Sequence, residues 1–312
     1  MDNQTFPAGF YIVGFTNDAN KKKTLFIVFL FIYLIGIVGN LIIITVIYLD
    51  SHLQTPMYLF LCNLSSVDIC YTTVTLPKLM DMLATEHNSI TFTQCFTQMY
   101  FFNFLATTEV FLLTAMAYDR YAAICFPLQY YLIMNRKKCT CILISVWVSG
   151  CMNSLFFSGF ASTLTFCYSN KIQHFFCDVK PLVKISCSNG IFYIVMYVET
   201  VFLGIFPLFL SLTSYVKIIS SILQIKSVEG RKRAFSTCTS HLTVLFIFYG
   251  TFLWMYIRPT SDDLDKQDVV ISVLYTAVTP MLNPLIYSLR NKEMKSAMVR
   301  LVKVIKFRIS VR

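Results

Sequence analysis

Residues 24–48 read TLFIVFLFIYLIGIVGNLIIITVIY, 25 residues without one Asp, Glu, Lys or Arg. A bilayer core is about 30 Å thick and needs about 20 mostly apolar residues to cross it as a helix. This stretch predicts a membrane span. Six more of the kind follow, at roughly 57–79, 97–118, 140–161, 191–216, 237–257 and 269–289. Spans two, three and five carry one acid each, Asp68, Glu109 and Glu199, and span six carries His241 near one end. Composition agrees: 56% of the 312 residues are hydrophobic and 13% charged, against about 25% charged in a soluble domain. The expected fold is one all-α bundle of seven transmembrane helices over residues 1–312, with an outer loop at 162–190 and a tail at 290–312.

Seven is odd, so the termini lie on opposite sides. Basic residues accumulate in cytoplasmic loops. With the N-terminus outside, 17 of the 26 Lys and Arg fall on the inner side against four acids. The outer side has nine of each, and the three intramembrane acids bring the net charge to +10. The positive excess thus belongs to a membrane face and excludes a nucleic-acid partner. Lys21, Lys22 and Lys23 oppose the rule locally and are outvoted. Residues 1–23 lack the apolar core of a secretory signal, so span one reads as a signal-anchor. Asn3 opens a glycosylation triplet with Gln4 and Thr5 on the outer face. Asn63 opens another inside span two, beyond reach of any sugar.

Eleven cysteines divide by compartment. Cys62, Cys70 and Cys151 lie in spans and read as small packers. Cys125, Cys139, Cys141 and Cys238 lie at the inner face, where thiols stay reduced. Cys95, Cys167, Cys177 and Cys187 lie outside, and four cysteines leave three pairings open.

Seven spans suit a retinal pump, a transporter or a receptor. A retinal pump needs a lysine in the last span, and 269–289 has none. A transporter needs charged or broken spans along a path, and three scattered acids are too few. What remains are ordered motifs: Gly39-Asn40; PMYLFL at 56–61 and LSSVD at 64–68; MAYDRYAAIC at 116–125; HFFCD at 174–178; Ser214-Tyr215; AFSTCTSH at 234–241; and PMLNPLIYSLRN at 280–291. The Asp-Arg-Tyr and Asn-Pro-x-x-Tyr elements resemble rhodopsin-like G-protein-coupled receptors. The extended forms resemble vertebrate olfactory (odorant) receptors, closer to the tetrapod-type (class II) branch. Arg233 stands where the span-six motif usually opens with Lys, and the charge is kept.

The resemblance implies a non-enzymatic chemosensory receptor. It would sit in the plasma membrane, in sensory cilia if olfactory, and activate a stimulatory, cyclic-AMP-raising heterotrimeric G protein. A receptor of the same family for a small metabolite outside the nose fits the residues equally. The resemblance pairs Cys95 with Cys177, and Cys167 with Cys187. It assigns coupling to Asp119, Arg120 and Tyr121, with Tyr215, His241, Asn283, Pro284 and Tyr287 as moving parts. Pro207 and Pro284 each remove a helix bond and permit a pivot. His241 reads as a hydrogen-bonded packing residue or as a pH switch. Asn40, Asp68 and Glu109 would line a polar centre. A sodium ion there, or a protonated carboxyl pair without one, would satisfy the charge.

Odorants are small and mostly apolar, so their pocket should be apolar with a few placed polar groups. Asn103 lies 17 residues before Arg120, about 25 Å toward the outside. Phe102, Asn103, Ala106 and Thr107 share its helical face. Glu199, Thr200 and Leu203 on span five, Tyr249, Phe252, Leu253 and Tyr256 on span six, and Val273 and Thr276 on span seven lie at matching depth. By resemblance these faces converge below the outer loop. Glu199 is either a partner for a ligand's polar head or a partner for Lys180 or Lys184 of that loop. Receptors for monoamines anchor their ligand through an acid at the position of Phe102, and that anchor is missing.

Overall fold

A computed structural model of the chain describes residues 9–13, 18–85, 87–166, 169–187, 190–257 and 265–310. Seven of its helical stretches are long and apolar enough to cross a membrane. The first, α1 (Ala19–Leu49), starts where the Asp18 carboxylate accepts from the backbone of Asn20 at 2.9 Å. That bond satisfies a donor orphaned by the helix end. Its buried residues, Gly36, Asn40, Ile43 and Ile47 among them, form a narrow stripe, while Phe31, Leu34, Val38 and Leu41 stay exposed. Apolar side chains facing outward all round are what lipid, not water, stabilises.

The remaining elements follow in order. They are α2 (Pro56–Thr85), α3 (Phe92–Cys125), the short α4 (Tyr130–Ile133), α5 (Arg136–Ala161), α6 (Val179–Lys184) in the outer loop, and α7 (Gly190–Glu199). After them come α8 (Phe206–Leu223), α9 (Val228–Ile257), α10 (Asp265–Val273), α11 (Thr279–Arg290) and α12 (Lys292–Ser310). The third span is the hub: α3 packs against α2, α5, α8 and α9. At Gly150 on α5 a side chain would overlap the Thr108 hydroxyl and come within 3.0 Å of the Phe104 carbonyl. A small residue there lets two backbones close up without lipid between them.

Spans five and seven each contain a wide, π-type turn, at Thr200–Ile205 and Leu274–Val278. Proline explains the position of both. Pro207 and Pro280 follow two residues after the turns. Each lacks the N–H that would reach the carbonyl four residues back, and its ring crowds that carbonyl. The chain relieves the clash by widening upstream, a feature frequent at functional sites.

Outside, β1 (Gly9–Ile12) lies between β2 (Ser89–Thr91), antiparallel, and β3 (Lys171–Ile172), parallel. Phe10 beneath it meets Phe92 and Phe166 edge-on at 4.7 and 4.9 Å. Cys95 is bonded to Cys177, tying α3 to the outer loop. Cys187 is disulfide-bonded too, whereas Cys167 lies outside the described residues, as does Asn3. The loop is further held by Lys180, whose ammonium donates to Asp268 at 2.9 Å and to the Met255 carbonyl at 3.0 Å.

The structure extends two expectations and corrects a third. Several helices run past the hydrocarbon-length limits drawn from hydropathy: α2 continues through Pro77 to Thr85, and α9 begins at Val228 rather than 237. The tail is helical over Lys292–Ser310, with Met294 and Ala297 buried and Arg300 donating to Asp50 at 2.6 Å. Cys70 is exposed rather than a buried packer, and Cys62 and Cys151 are only partly buried.

Candidate functional site

A cavity of about 40 Å³ lies in the outer half of the bundle. One face of α3 supplies Asn103, Ala106, Thr107 and Val110, spaced i, i+3, i+4, i+7. Met196 and Glu199 come from α7, Thr200 and Leu203 from the first wide turn, Phe252 from α9 and Tyr275 from the second wide turn. Phe157 of α5 and Val179 of α6 close the ring of side chains. Both proline-induced turns therefore open onto one space.

The lining is apolar except for a few groups at one side. Asn153 on α5 donates through its Nδ2 to the Glu199 carboxylate at 2.8 Å and to the Thr107 hydroxyl oxygen at 3.1 Å. Thr107 keeps its own proton for another acceptor. The Asn103 Nδ2 is buried without a hydrogen-bond partner. An orphaned amide donor costs about 1–3 kcal/mol, a cost that a ligand acceptor removes.

The structure brings together Asn103, Ala106, Thr107, Glu199, Thr200, Leu203 and Phe252 of the residues chosen from sequence. Others stand apart. Phe102 packs its ring at 4.7 Å from Phe176 of the outer loop and 5.1 Å from Tyr71, behind the wall. Tyr249 is buried against Phe248 at 5.3 Å. Thr276 donates to the Ser272 carbonyl of its own helix. Leu253 and Val273 pack into the hydrophobic core. The Tyr256 side chain lies outside the described residues. Sequence reading missed Val110, Phe157, Val179, Met196, Tyr275 and Asn153. Val110 and Met196 continue a helical spacing already begun at Ala106 and Thr200. No local signal marks Val179, which the disulfide-tied loop delivers. Lys180, one of the two alternative partners for Glu199, is bound to Asp268 instead.

Deeper, the Asn283 amide donates to both Asp68 oxygens at 3.2 and 3.0 Å. The Asn40 amide donates to the carbonyls of Gly36 and Pro280. Glu109 Oε1, Asn40 Oδ1 and Asn283 Oδ1 are buried acceptors without a partner. Among the described residues no three His, Cys, Asp or Glu side chains come together as a metal cluster.

At the inner end Asp119 is fully buried and occupied on both oxygens. Oδ2 accepts from Arg120 Nη2 at 2.6 Å and Nε at 3.1 Å, and Oδ1 accepts from the Tyr130 hydroxyl at 2.7 Å. Burial and the Asp119 carboxylate hold the Tyr130 phenol above its usual pKa, so it remains a donor. His241 is buried and hydrogen-bonded to the Tyr215 hydroxyl at 2.6 Å. Tyr287 of the Asn283-Pro284 element is buried nearby. The Lys217 ammonium sits 5.4 Å over the Tyr121 ring.

Comparison with known proteins joins these parts. The olfactory receptor family model matches residues 29–304. The chain is 48% identical over 303 residues to human olfactory receptor 5B12, covering 97% of this chain and 96% of that one. It is 44% identical over 302 residues to rat olfactory receptor 1468, covering 96% of each, and 43% identical to mouse olfactory receptor 1E16, covering 96% of this chain and 95% of that one. A seven-helix bundle, its ordered motifs and near full-length likeness agree: the chain belongs to the olfactory receptor family, rhodopsin-like G-protein-coupled receptors of the plasma membrane that bind odorants and are not enzymes.

Proposed function

We propose that the outer cavity is the odorant site and that its occupancy is relayed to Arg120 to activate a stimulatory, cyclic-AMP-raising G protein. The observation that carries this reading is the grouping of Asn103, Thr107 and Glu199 at one side of an otherwise apolar space. The preferred ligand is small and mostly apolar, with one polar head. A hydroxyl complements the site best, because it donates to Glu199 and accepts from Asn103 in the same pose. An ammonium satisfies Glu199 alone, and a hydrocarbon satisfies neither. The chain senses odorants by this means from within membrane lipid, which covers the exposed apolar faces.

The pathway inward crosses the polar centre. The Asp68 carboxylate and the unpartnered oxygens of Glu109, Asn40 and Asn283 are of the oxygen type that a hard cation takes, so sodium fits the donor types present. When bound it would supply positive charge among buried acids. Asn283 holds Asp68, and Asn40 ties α1 to α11, so a shift of α11 at Pro284 strains both. Coupling then requires Arg120 to leave Asp119, whose other oxygen Tyr130 holds.

Asn103→Ala tests the head-group assignment. Equal-length alcohols should lose about tenfold in potency, while amines, which cannot accept from Asn103, should keep theirs. Equal losses for both, at equal surface level in a cyclic-AMP assay, would contradict it.

A further inference from the structure

Gly204 lies in the first wide turn, one residue past Leu203 of the cavity wall, and is buried. A side chain there would overlap the Phe252 ring, with further ring carbons at 3.2 Å. The bare α-carbon is therefore a seat for that ring. Phe252 is itself part of the cavity wall and stacks on Phe248 at 6.3 Å with the planes 9° apart. The clash is with the far end of a flexible side chain, so the ring would give way rather than the backbone. It is blocked on the Phe248 side by the stack and on the Gly204 side by the new methyl. The cavity is the open side.

Size makes this matter. At about 40 Å³ the cavity holds about three waters, since a water needs roughly 10–15 Å³. Sites for drug-sized ligands run to about 300–1,000 Å³. A ligand longer than a few atoms must move a wall, so any further intrusion of the Phe252 ring tells first on the longest ligands.

We propose that Gly204 sets the size limit of the ligand: its missing side chain is the recess that holds the Phe252 ring back from the cavity, and a larger residue at 204 pushes the ring into it. The proposal rests on the cavity being the odorant site. It adds a specificity-determining position that does not itself line the cavity.

The test uses a homologous series of straight-chain primary alcohols, with cyclic-AMP output normalised to surface level. Gly204→Ala should cost the longest members about tenfold or more in potency and leave the shortest little changed, as overpacking of a tight site does. Adding Phe252→Leu to it should restore the long members. An equal loss at every length, or no restoration in the double variant, would overturn the proposal. Should Gly204→Ala fail to reach the surface, Phe252→Leu alone decides: it should extend the accepted length, and an unchanged length profile would overturn the proposal. Glu199→Gln, run beside these, separates the two readings. If it changes head-group ranking while Gly204→Ala leaves length selection intact, the recess is wrong and the site stands. If neither variant changes anything, or if no alcohol activates the parent receptor, the odorant site itself is misplaced and the recess falls with it.

Discussion

The outer cavity and the inner face use polar groups in opposite ways. At the inner face Asp119 has three short bonds from Arg120 and Tyr130, leaving neither oxygen free. In the cavity Asn103 has an unused donor, and Glu199 is held by Asn153 at one oxygen. A satisfied buried cluster is a latch, because opening it exposes a charge pair to a low-dielectric surrounding. An unsatisfied one suits a ligand, because an arriving molecule can supply the missing bond. The two lie about 25 Å apart along α3, so a ligand reaches the latch only through helix movement. The wide turns and Pro284 are the places where the helices give.

The largest effect should come from Arg120, the latch residue proposed to couple to the G protein. Arg120→Ala should reach the surface, still bind ligand and lose cyclic-AMP output. Retained output at equal surface level would remove Arg120 from the coupling role. A smaller effect is expected from Tyr130→Phe, which deletes one bond to Asp119 while leaving the ion pair. Hydrogen bonds to charged groups contribute about 1.5–3 kcal/mol, so ligand-free output should rise several-fold. Unchanged basal output would mean that Tyr130 only packs.

The smallest effect concerns the outer loop. His174 is buried, its Nε2 lies 2.9 Å from the Ser272 hydroxyl, and burial, then Lys180, pull its pKa down to about 3. In the unfolded chain the same ring takes a proton near pH 6.5. The unfolded state thus binds more protons between these values, and stability falls as pH drops below about 6.5. Each pH unit costs up to about 1.4 kcal/mol, a few degrees of melting temperature for a chain of this size. Purified receptor should melt lower at pH 5.5 than at 7.5, and His174→Gln should shrink that difference. An unchanged difference would show that other groups set the acid sensitivity.

Much of this was legible in the residues. Charge-free runs such as 24–48 locate the spans because lipid tolerates little else, and the loop charges orient them. The limits were less legible, since α2 and α9 continue beyond the apolar stretch where capping and water support a helix. The α12 helix is readable from the spacing of Met294, Ala297, Met298 and Leu301 within the segment expected as the tail. In the cavity, fixed 3.6-residue spacing found Asn103, Ala106 and Thr107 on straight α3. It failed on span seven, where the wide turn brings Tyr275 to the cavity while Val273 and Thr276 pack elsewhere. Phe102 shares a helical face with Asn103 and Ala106, yet the outer loop's Phe176 claims its ring. Asn153 was invisible, because its role depends on which face of α5 meets α7.

The central claim is that Glu199 reads the ligand's polar head. Glu199→Gln keeps the shape and removes the carboxyl's capacity to carry a charge against an amine. Across amines, alcohols and hydrocarbons of equal length, amines should lose roughly tenfold or more in potency, alcohols less, and hydrocarbons nothing, so that the order of potencies changes. If every ligand keeps its potency and rank at equal surface level, Glu199 serves only to hold Asn153, and the site does not recognise the head group through span five.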